Sequence, residues 1–258
     1  MAGVSSGDSQ ANSGDPPTLG AEGARPLEPF TALELRAVYD SLFEAYGPQE
    51  WWPAAAVDGP ARRLEICLGA ILVQNTWWDG AEEAVANLRA VGVMDCAALL
   101  ALPEHTLGDL LRPAGYFRGK ARRLRTFCDV VMDEHGGDID RLLTGTMEEV
   151  RGRLLAIWGV GPETADAMTL YAARLPTFVV DAYAYRLFER LGRAPGPRNY
   201  DVYRDYFLRA IGEDEPVLNE WHALIVRHGQ RTCRKSTPRC GECALLDRCA
   251  FGQADVGA

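Results

Sequence analysis

The chain contains very little lysine and no long apolar run. Lys120 and Lys235 are the only lysines among its 258 residues. No stretch of eighteen consecutive apolar residues occurs, and the N-terminus lacks the basic-then-apolar order of a signal peptide. These absences argue against a membrane span and against secretion, so we expect a cytoplasmic protein that does not contact a membrane.

The chain also lacks an excess of positive charge. Its formal net charge is -9, which at first argues against a nucleic-acid partner because phosphate contacts need Lys and Arg. However, residues 1–60 hold nine of the 36 acidic residues and only Arg25 and Arg36 of the 27 basic ones. The remaining residues are nearly balanced, and their basic side chains cluster at 118–125 and 227–239. Such clusters are either solvated helix faces or phosphate contacts.

The sequence predicts an all-α fold after an unstructured N-terminus. Residues 1–27 consist mainly of Gly, Ser, Asp, Ala and Pro, so we expect a disordered tail. From Phe30 onward, apolar residues recur at three- and four-residue spacing, as on one face of a helix. The segments with this spacing are 32–46, 61–73, 80–91, 120–134, 147–157, 163–174, 181–192, 199–211 and 216–228.

Four of the seven cysteines form a compact C-terminal pattern. They are Cys233, Cys240, Cys243 and Cys249, with the spacing C-x6-C-x2-C-x5-C. Four thiolates within seventeen residues can bind one metal centre, and the spacing suits both zinc and a cubane iron–sulfur cluster. The other cysteines, Cys67, Cys96 and Cys128, lie among apolar residues and are predicted to be small buried side chains.

The stretch GVGPETADA, residues 159–167, predicts a glycine hairpin that opens a helix. Gly159, Val160 and Gly161 can turn successive backbone N–H groups outward, and the following helix start adds partial positive charge. A phosphate can bind there without a basic side chain, whatever the DNA sequence. The alternative is an ordinary turn between two helices.

Three features together resemble the endonuclease III family of helix-hairpin-helix DNA glycosylases. They are the glycine hairpin, Asp181 eighteen residues after Glu163, and the cysteine pattern, and the resemblance covers about residues 30–250. It implies a [4Fe-4S] cluster on the four cysteines and double-stranded DNA with a damaged base as the partner. It also implies a nucleoid-associated monomer.

The resemblance further implies two helical domains that flank a DNA-binding cleft. One is a six-helix bundle at 56–175 that carries the hairpin. The other is an iron–sulfur domain built from 28–55 and 176–258.

Within this family, several stretches resemble the branch that removes alkylated purines such as 3-methyladenine. They are GVGPETADA, VVDAYAY, EWWPA at 50–54, LGAILVQNTWW at 68–78 and RPAGYFRGKARRL at 112–124. The resemblance implies that Trp51, Trp52, Pro53 and Trp78 line the pocket for the flipped base. The alternative is that these tryptophans are plain core residues. Some members of the branch have lost the four cysteines, whereas this chain keeps them.

Two carboxylates are the candidate catalytic groups. In bifunctional members of the family, the position of Glu163 is a Lys that forms a Schiff base with the sugar. A carboxylate cannot do so, which predicts a glycosylase without lyase activity. Asp181 would stabilise the oxocarbenium-like sugar or take a proton from water. The alternatives are local: Glu163 as a first-turn acid beside Pro162, and Asp181 as an N-cap.

Several polar residues are predicted DNA contacts. The resemblance implies that Gln74 fills the gap left by the flipped nucleotide; the alternative is an ordinary polar residue at a helix end. Lys120 belongs to the basic cluster at 118–125. The loop between Cys233 and Cys240 would contact phosphates through a basic triad, defined as Arg234, Lys235 and Arg239. Two other functions stay open at this point. They are an oxidised-pyrimidine or mismatch glycosylase of the same family, and a DNA-binding module without catalysis.

Overall fold

The structure, a computed structural model, describes residues 28–257 and is all-helical over that range. The predicted disordered tail at 1–27 lies outside the described residues. The described part contains thirteen α-helices. They are α1 (Ala32–Tyr46), α2 (Gly59–Leu72), α3 (Trp78–Ala90), α4 (Cys96–Ala101), α5 (Glu104–Leu110), α6 (Phe117–His135), α7 (Ile139–Leu143), α8 (Met147–Ala156), α9 (Pro162–Ala167), α10 (Ala182–Leu191), α11 (Tyr200–Ile211), α12 (Glu215–Arg231) and α13 (Ala250–Val256).

All nine predicted helical segments are confirmed, with α1 matching 32–46 at both ends. Side-chain caps define many helix starts. Thr31 with Glu34, and Thr146 with Glu149, form capping boxes at α1 and α8. Such a cap stabilises a helix by about 1 kcal/mol. Asp or Asn side chains cap α2, α4, α7, α10, α11 and α12.

The helices pack in two groups. Helices α2 to α9 contact one another, whereas α1 packs on α11 and α12, and α10 packs on α12 and α13. After α9 the chain continues as a π-helical turn, Met168–Ala172, which contacts both α2 and α12. This grouping is compatible with the two expected domains. Their boundaries stay a prediction, because the buried apolar side chains form one continuous core.

A buried carboxylate, Asp166, connects the two groups. Its side chain is fully buried and accepts hydrogen bonds from Arg151 Nε at 2.9 Å, Thr177 Oγ1 at 2.6 Å and Tyr200 Oη at 2.8 Å. Arg204 Nε lies 3.3 Å away. A buried charge is tolerated only when it is paired and hydrogen-bonded in this way. The network therefore fixes α9, and the hairpin before it, against α11.

Candidate active site and DNA-binding hairpin

The two glycines of the predicted hairpin differ in how much space surrounds them. Gly159 has φ +89°, and a Cβ atom there would lie 2.6 Å from Arg123 Cγ. Gly161 is the N-cap of α9 in an extended conformation, with open space around it. Within residues 28–257 the N–H groups of both glycines have no hydrogen-bond acceptor. They are therefore free to bind an anion at the start of α9.

Gln74 stabilises this hairpin through hydrogen bonds. Its Nε2 donates to Gly159 O at 3.0 Å and Thr164 Oγ1 at 2.8 Å, while its Oε1 accepts from Arg123 Nη1 at 2.9 Å. Both ends of the amide are thus engaged inside the protein. Filling the gap in DNA would require Gln74 to release these bonds, and that role stays a prediction.

The predicted aromatic residues form a cluster beside the hairpin helix. The ring centroids of Trp51 and Trp78 are 4.6 Å apart, and those of Trp52 and Trp78 are 5.0 Å apart. Trp52 is buried and packs on α2 at Gly69, where a Cβ atom would lie 3.3 Å from its ring. Trp51 and Trp78 are half-buried, and Pro53 is exposed. The open part of the cluster is therefore formed by Trp51 and Trp78.

The two predicted catalytic carboxylates lie close enough for their charges to interact. Glu163 lies in the first turn of α9, after Pro162 at N1, and its outer side is exposed. Desolvation of its carboxyl, with a further contribution from the negative charge of Asp181, raises the pKa of Glu163 to about 7. Asp181 caps α10, because its Oδ1 accepts from Ala184 N at 2.8 Å. The local interpretations of both residues are thus correct, and their catalytic roles stay predictions.

Sequence reasoning missed His222 and Tyr171, which lie behind Asp181. His222 Nε2 is 3.6 Å from Asp181 Oδ2, and its Nδ1 is hydrogen-bonded to Tyr171 Oη. Both residues are nearly fully buried. They occur within apolar helical patterns, and we find no sequence signal that separates them from core residues. A second missed feature is Trp158, half-exposed beside the hairpin under the guanidinium of Arg122 at 4.4 Å.

The four C-terminal cysteines line one pocket against α10 and α12. Three of the sulfurs accept N–H donors. Cys233 Sγ accepts from Arg190 Nη1 at 3.3 Å, Cys243 Sγ from Leu245 N at 3.4 Å and Cys249 Sγ from Gly252 N at 3.3 Å. Burial raises the pKa of the Cys240 thiol to about 11. Within residues 28–257, no three His, Cys, Asp or Glu side chains are arranged around a single metal ion.

Two arginines of α10 hold the loop that follows Cys233. Arg190 donates to Arg234 O at 2.7 Å and Lys235 O at 3.0 Å. Arg186 donates to Cys233 O at 2.9 Å. The side chains of Lys235 and Arg239 are exposed, and Arg234 is half-buried. The backbone of the loop is thus fixed while its basic triad remains partly open to solvent.

Comparison with known proteins identifies the family. Residues 68–208 match the model of the HhH-GPD superfamily base excision DNA repair proteins. The chain belongs to this superfamily. It is 37% identical over 213 residues to MJ1434 of Methanocaldococcus jannaschii, whose name describes it, provisionally, as a DNA repair glycosylase. That alignment covers 82% of this chain and 94% of the relative.

Solved structures share the fold. An endonuclease III in a non-covalent complex with DNA has a TM-score of 0.74 at 19% identity, over 89% of this chain and all of that one. The H. pylori 3-methyladenine DNA glycosylase MagIII, bound to 1,N6-ethenoadenine, has a TM-score of 0.66 at 23% identity, over 78% of this chain and 98% of that one. By its family, the protein is a base excision repair DNA glycosylase.

The prediction that Lys120 contacts DNA is wrong. Lys120 is fully buried and does not contact solvent. Its ammonium donates to Leu72 O at 2.7 Å and Ala114 O at 2.6 Å, and burial lowers its pKa to about 8. Its neighbour Ala121 is buried beside it, so this side of α6 faces the core. Lys120 therefore joins three segments of the protein and cannot reach a phosphate.

The other predicted site residues fall into two regions of the structure. The hairpin, the tryptophans, Glu163 and Asp181 make up the predicted active-site region, and the cysteines with the basic triad lie beside α10. Cys67, Cys96 and Cys128 are buried as predicted. Over residues 28–257, no helix has both the length and the apolar character to cross a membrane.

Proposed function

We propose that this protein is a monofunctional DNA glycosylase that releases alkylated purines such as 3-methyladenine. The observation that supports it most is the position of Glu163, a carboxylate beside Asp181 at the exit of the hairpin. Neither lysine of the chain can supply the missing amine. Lys120 is buried with two carbonyl partners, and Lys235 lies in the cysteine loop. Without an amine at the sugar, no Schiff base forms and the DNA strand stays intact.

The aromatic cluster suits a cationic base. Methylation at N3 or N7 leaves a purine positively charged, and the faces of Trp51 and Trp78 are the open part of the cluster. A cation over an indole gains about 0.5–2 kcal/mol, which an unmodified base does not. In addition, the indole N–H of Trp51 is buried and has no acceptor within residues 28–257. It can donate to an acceptor on the edge of a flipped base.

Asp181 supplies the charge that the reaction needs. An alkylated purine is already a good leaving group, so the main barrier is the positive charge that develops on the sugar. Asp181 lies at the N-terminus of α10, where its Oδ1 accepts from the Ala184 N–H and the helix dipole places partial positive charge beside it. A fixed anion beside the sugar lowers the energy of the oxocarbenium-like transition state. This use of Asp181 argues against a DNA-binding module without catalysis.

We also propose that the four cysteines hold a [4Fe-4S] cluster. Their sequence spacing suits a cubane, all four line one pocket, and three of the sulfurs accept N–H donors. Burial and the neighbouring thiols raise the pKa values of Cys240, Cys243 and Cys249, so ionisation of the set requires a bound cation. When bound, the cluster would crosslink the loop, and the basic triad would contact phosphates.

The test of the activity is incubation with duplexes that contain 3-methyladenine, 7-methylguanine, thymine glycol or uracil. Base release is scored separately from strand cleavage. We expect release from the alkylated duplexes, with nicking only after heat or alkali. Preferential release of thymine glycol or uracil would identify the alternative pyrimidine or mismatch activity. A borohydride-stable adduct between protein and DNA would contradict the monofunctional mechanism.

The test of the cofactor is elemental analysis of the purified monomer. We expect a brown protein that contains iron and sulfide, with broad absorbance near about 400 nm from thiolate-to-iron charge transfer. Stoichiometric zinc without iron or sulfide would refute the cluster.

A further inference from the structure

His222 lies between Tyr171, which packs on the aromatic cluster, and Asp181. It belongs to α12 and is 6% exposed. Its Nε2 has no hydrogen-bond partner within residues 28–257, and Asp181 Oδ2 lies 3.6 Å from it. This separation is slightly longer than a hydrogen bond, as is common for catalytic pairs before the substrate binds.

Tyr171 is hydrogen-bonded through its hydroxyl to the other ring nitrogen of His222, Nδ1. The hydroxyl is fully buried, and burial together with the charge of Asp181 raises its pKa well above the ordinary value. Tyr171 therefore stays protonated and has a proton that it can donate to Nδ1. A neutral imidazole that accepts at Nδ1 carries its proton on Nε2. That proton points towards Asp181.

We propose that His222 is a positioning residue for Asp181, held by Tyr171 as the neutral Nε2–H tautomer. Its N–H binds Asp181 Oδ2 while the Ala184 N–H binds Oδ1. The carboxylate is then fixed at both oxygens and points one face at the sugar. The arrangement follows the logic of an oriented histidine–carboxylate pair, with the carboxylate as the acting group. This inference rests on the proposed role of Asp181.

The same contacts connect base recognition to catalysis. The ring of Tyr171 packs on Trp52 with centroids 5.4 Å apart, and Trp52 in turn packs on Trp78. A base that fills the pocket would thus contact a row of packed aromatic rings that ends at Tyr171, the residue that orients His222. Occupation of the pocket and placement of Asp181 are therefore coupled through Trp52 and Tyr171.

Variants of His222 and Tyr171 test the proposal in single-turnover base release. His222→Leu removes the donor, and we expect the rate constant to fall about ten- to hundredfold while DNA affinity is unchanged. His222→Gln keeps an N–H near the Nε2 position and should recover part of that loss. Tyr171→Phe removes the hydroxyl that selects the tautomer of His222 and should lower the rate constant about two- to tenfold. Unchanged single-turnover rates in His222→Leu and Tyr171→Phe would overturn the proposal.

Tyr203→Phe is the matched control. It also removes a buried phenol hydroxyl, but that hydroxyl has no partner within residues 28–257. We expect its base release to equal that of the unmodified protein. A loss equal to that of Tyr171→Phe would show that any buried hydroxyl matters, and would overturn the specific role.

Nitrogen NMR of histidine-labelled protein tests the tautomer without any activity. The chain has four histidines, so assignment by single variants is practical. We expect His222 to be neutral and protonated at Nε2, and Tyr171→Phe to change its spectrum. An Nδ1–H tautomer or an imidazolium would overturn the proposal even if the variants lose activity. If the unmodified protein releases no base while the NMR result holds, the proposed function fails and the tautomer assignment stands.

Discussion

Replacing Glu163 with Gln should stabilise the protein at alkaline pH and leave it unchanged in acid. The pKa of Glu163 is raised from 4.5 to about 7, first by desolvation and then by Asp181. A group whose pKa is raised on folding contributes stability that is fully present below 4.5 and is lost as the pH rises through about 7. This difference corresponds to about 3 kcal/mol. Because the outer side of Glu163 is exposed, solvent screening reduces the expected effect to about 1 kcal/mol.

The assay is the apparent Tm of the variant relative to the unmodified protein at matched pH. We expect no difference at about pH 4.5, where Glu163 is neutral, and a gain of about 2–4 °C at about pH 8. Glu148→Gln is the matched control, because Glu148 is an exposed acid in the first turn of α8. It should show no such gain. A Glu163→Gln difference that is constant with pH, or an equal gain in the control, would refute the reasoning.

Further predictions concern DNA binding and catalysis. Replacing the basic triad with alanine should weaken binding to all DNA sequences. It should also reduce the slope of log affinity against log salt concentration by about 0.9 per lost contact. The control Lys120→Met should leave that slope unchanged. Asp181→Asn should retain DNA binding, measured by fluorescence anisotropy, while base release falls by orders of magnitude; near-normal release would contradict its role. Gly159→Ala should weaken DNA binding because its Cβ atom would meet Arg123 at 2.6 Å, whereas Gly161→Ala has open space and should bind normally.

The long helices could be predicted from the sequence because each combines apolar spacing with end signals. Helix α1, for example, has a capping box at Thr31 and a glycine at its end, Gly47. The four helices that were not predicted, α4, α5, α7 and α13, have only 6, 7, 5 and 7 residues. A helix of fewer than two turns does not show its period in the sequence, so packing rather than pattern defines it.

The site was predictable where its residues belong to local motifs. The hairpin and the cap at Asp181 are determined by neighbours in the sequence. His222 is 41 residues from Asp181, and only the packing of α12 brings them together. Lys120 was misassigned because charge alone does not reveal orientation. Arg118 and Arg122 on the same helix are exposed, whereas Lys120 lies on its inward side.

Helix α10 carries Asp181 at its start, while Arg186 and Arg190 along its length hold the cysteine loop. Ten residues of helix form a rigid body about 15 Å long, so a displacement of the loop is transmitted to the carboxylate. The hairpin, in contrast, is held by Gln74 and Arg123. Displacement of the cysteine loop would therefore move Asp181 and withdraw the phosphate contacts proposed for the basic triad, while the hairpin would stay in place. The hairpin alone would then bind the DNA backbone, with lower affinity and without a correctly placed carboxylate.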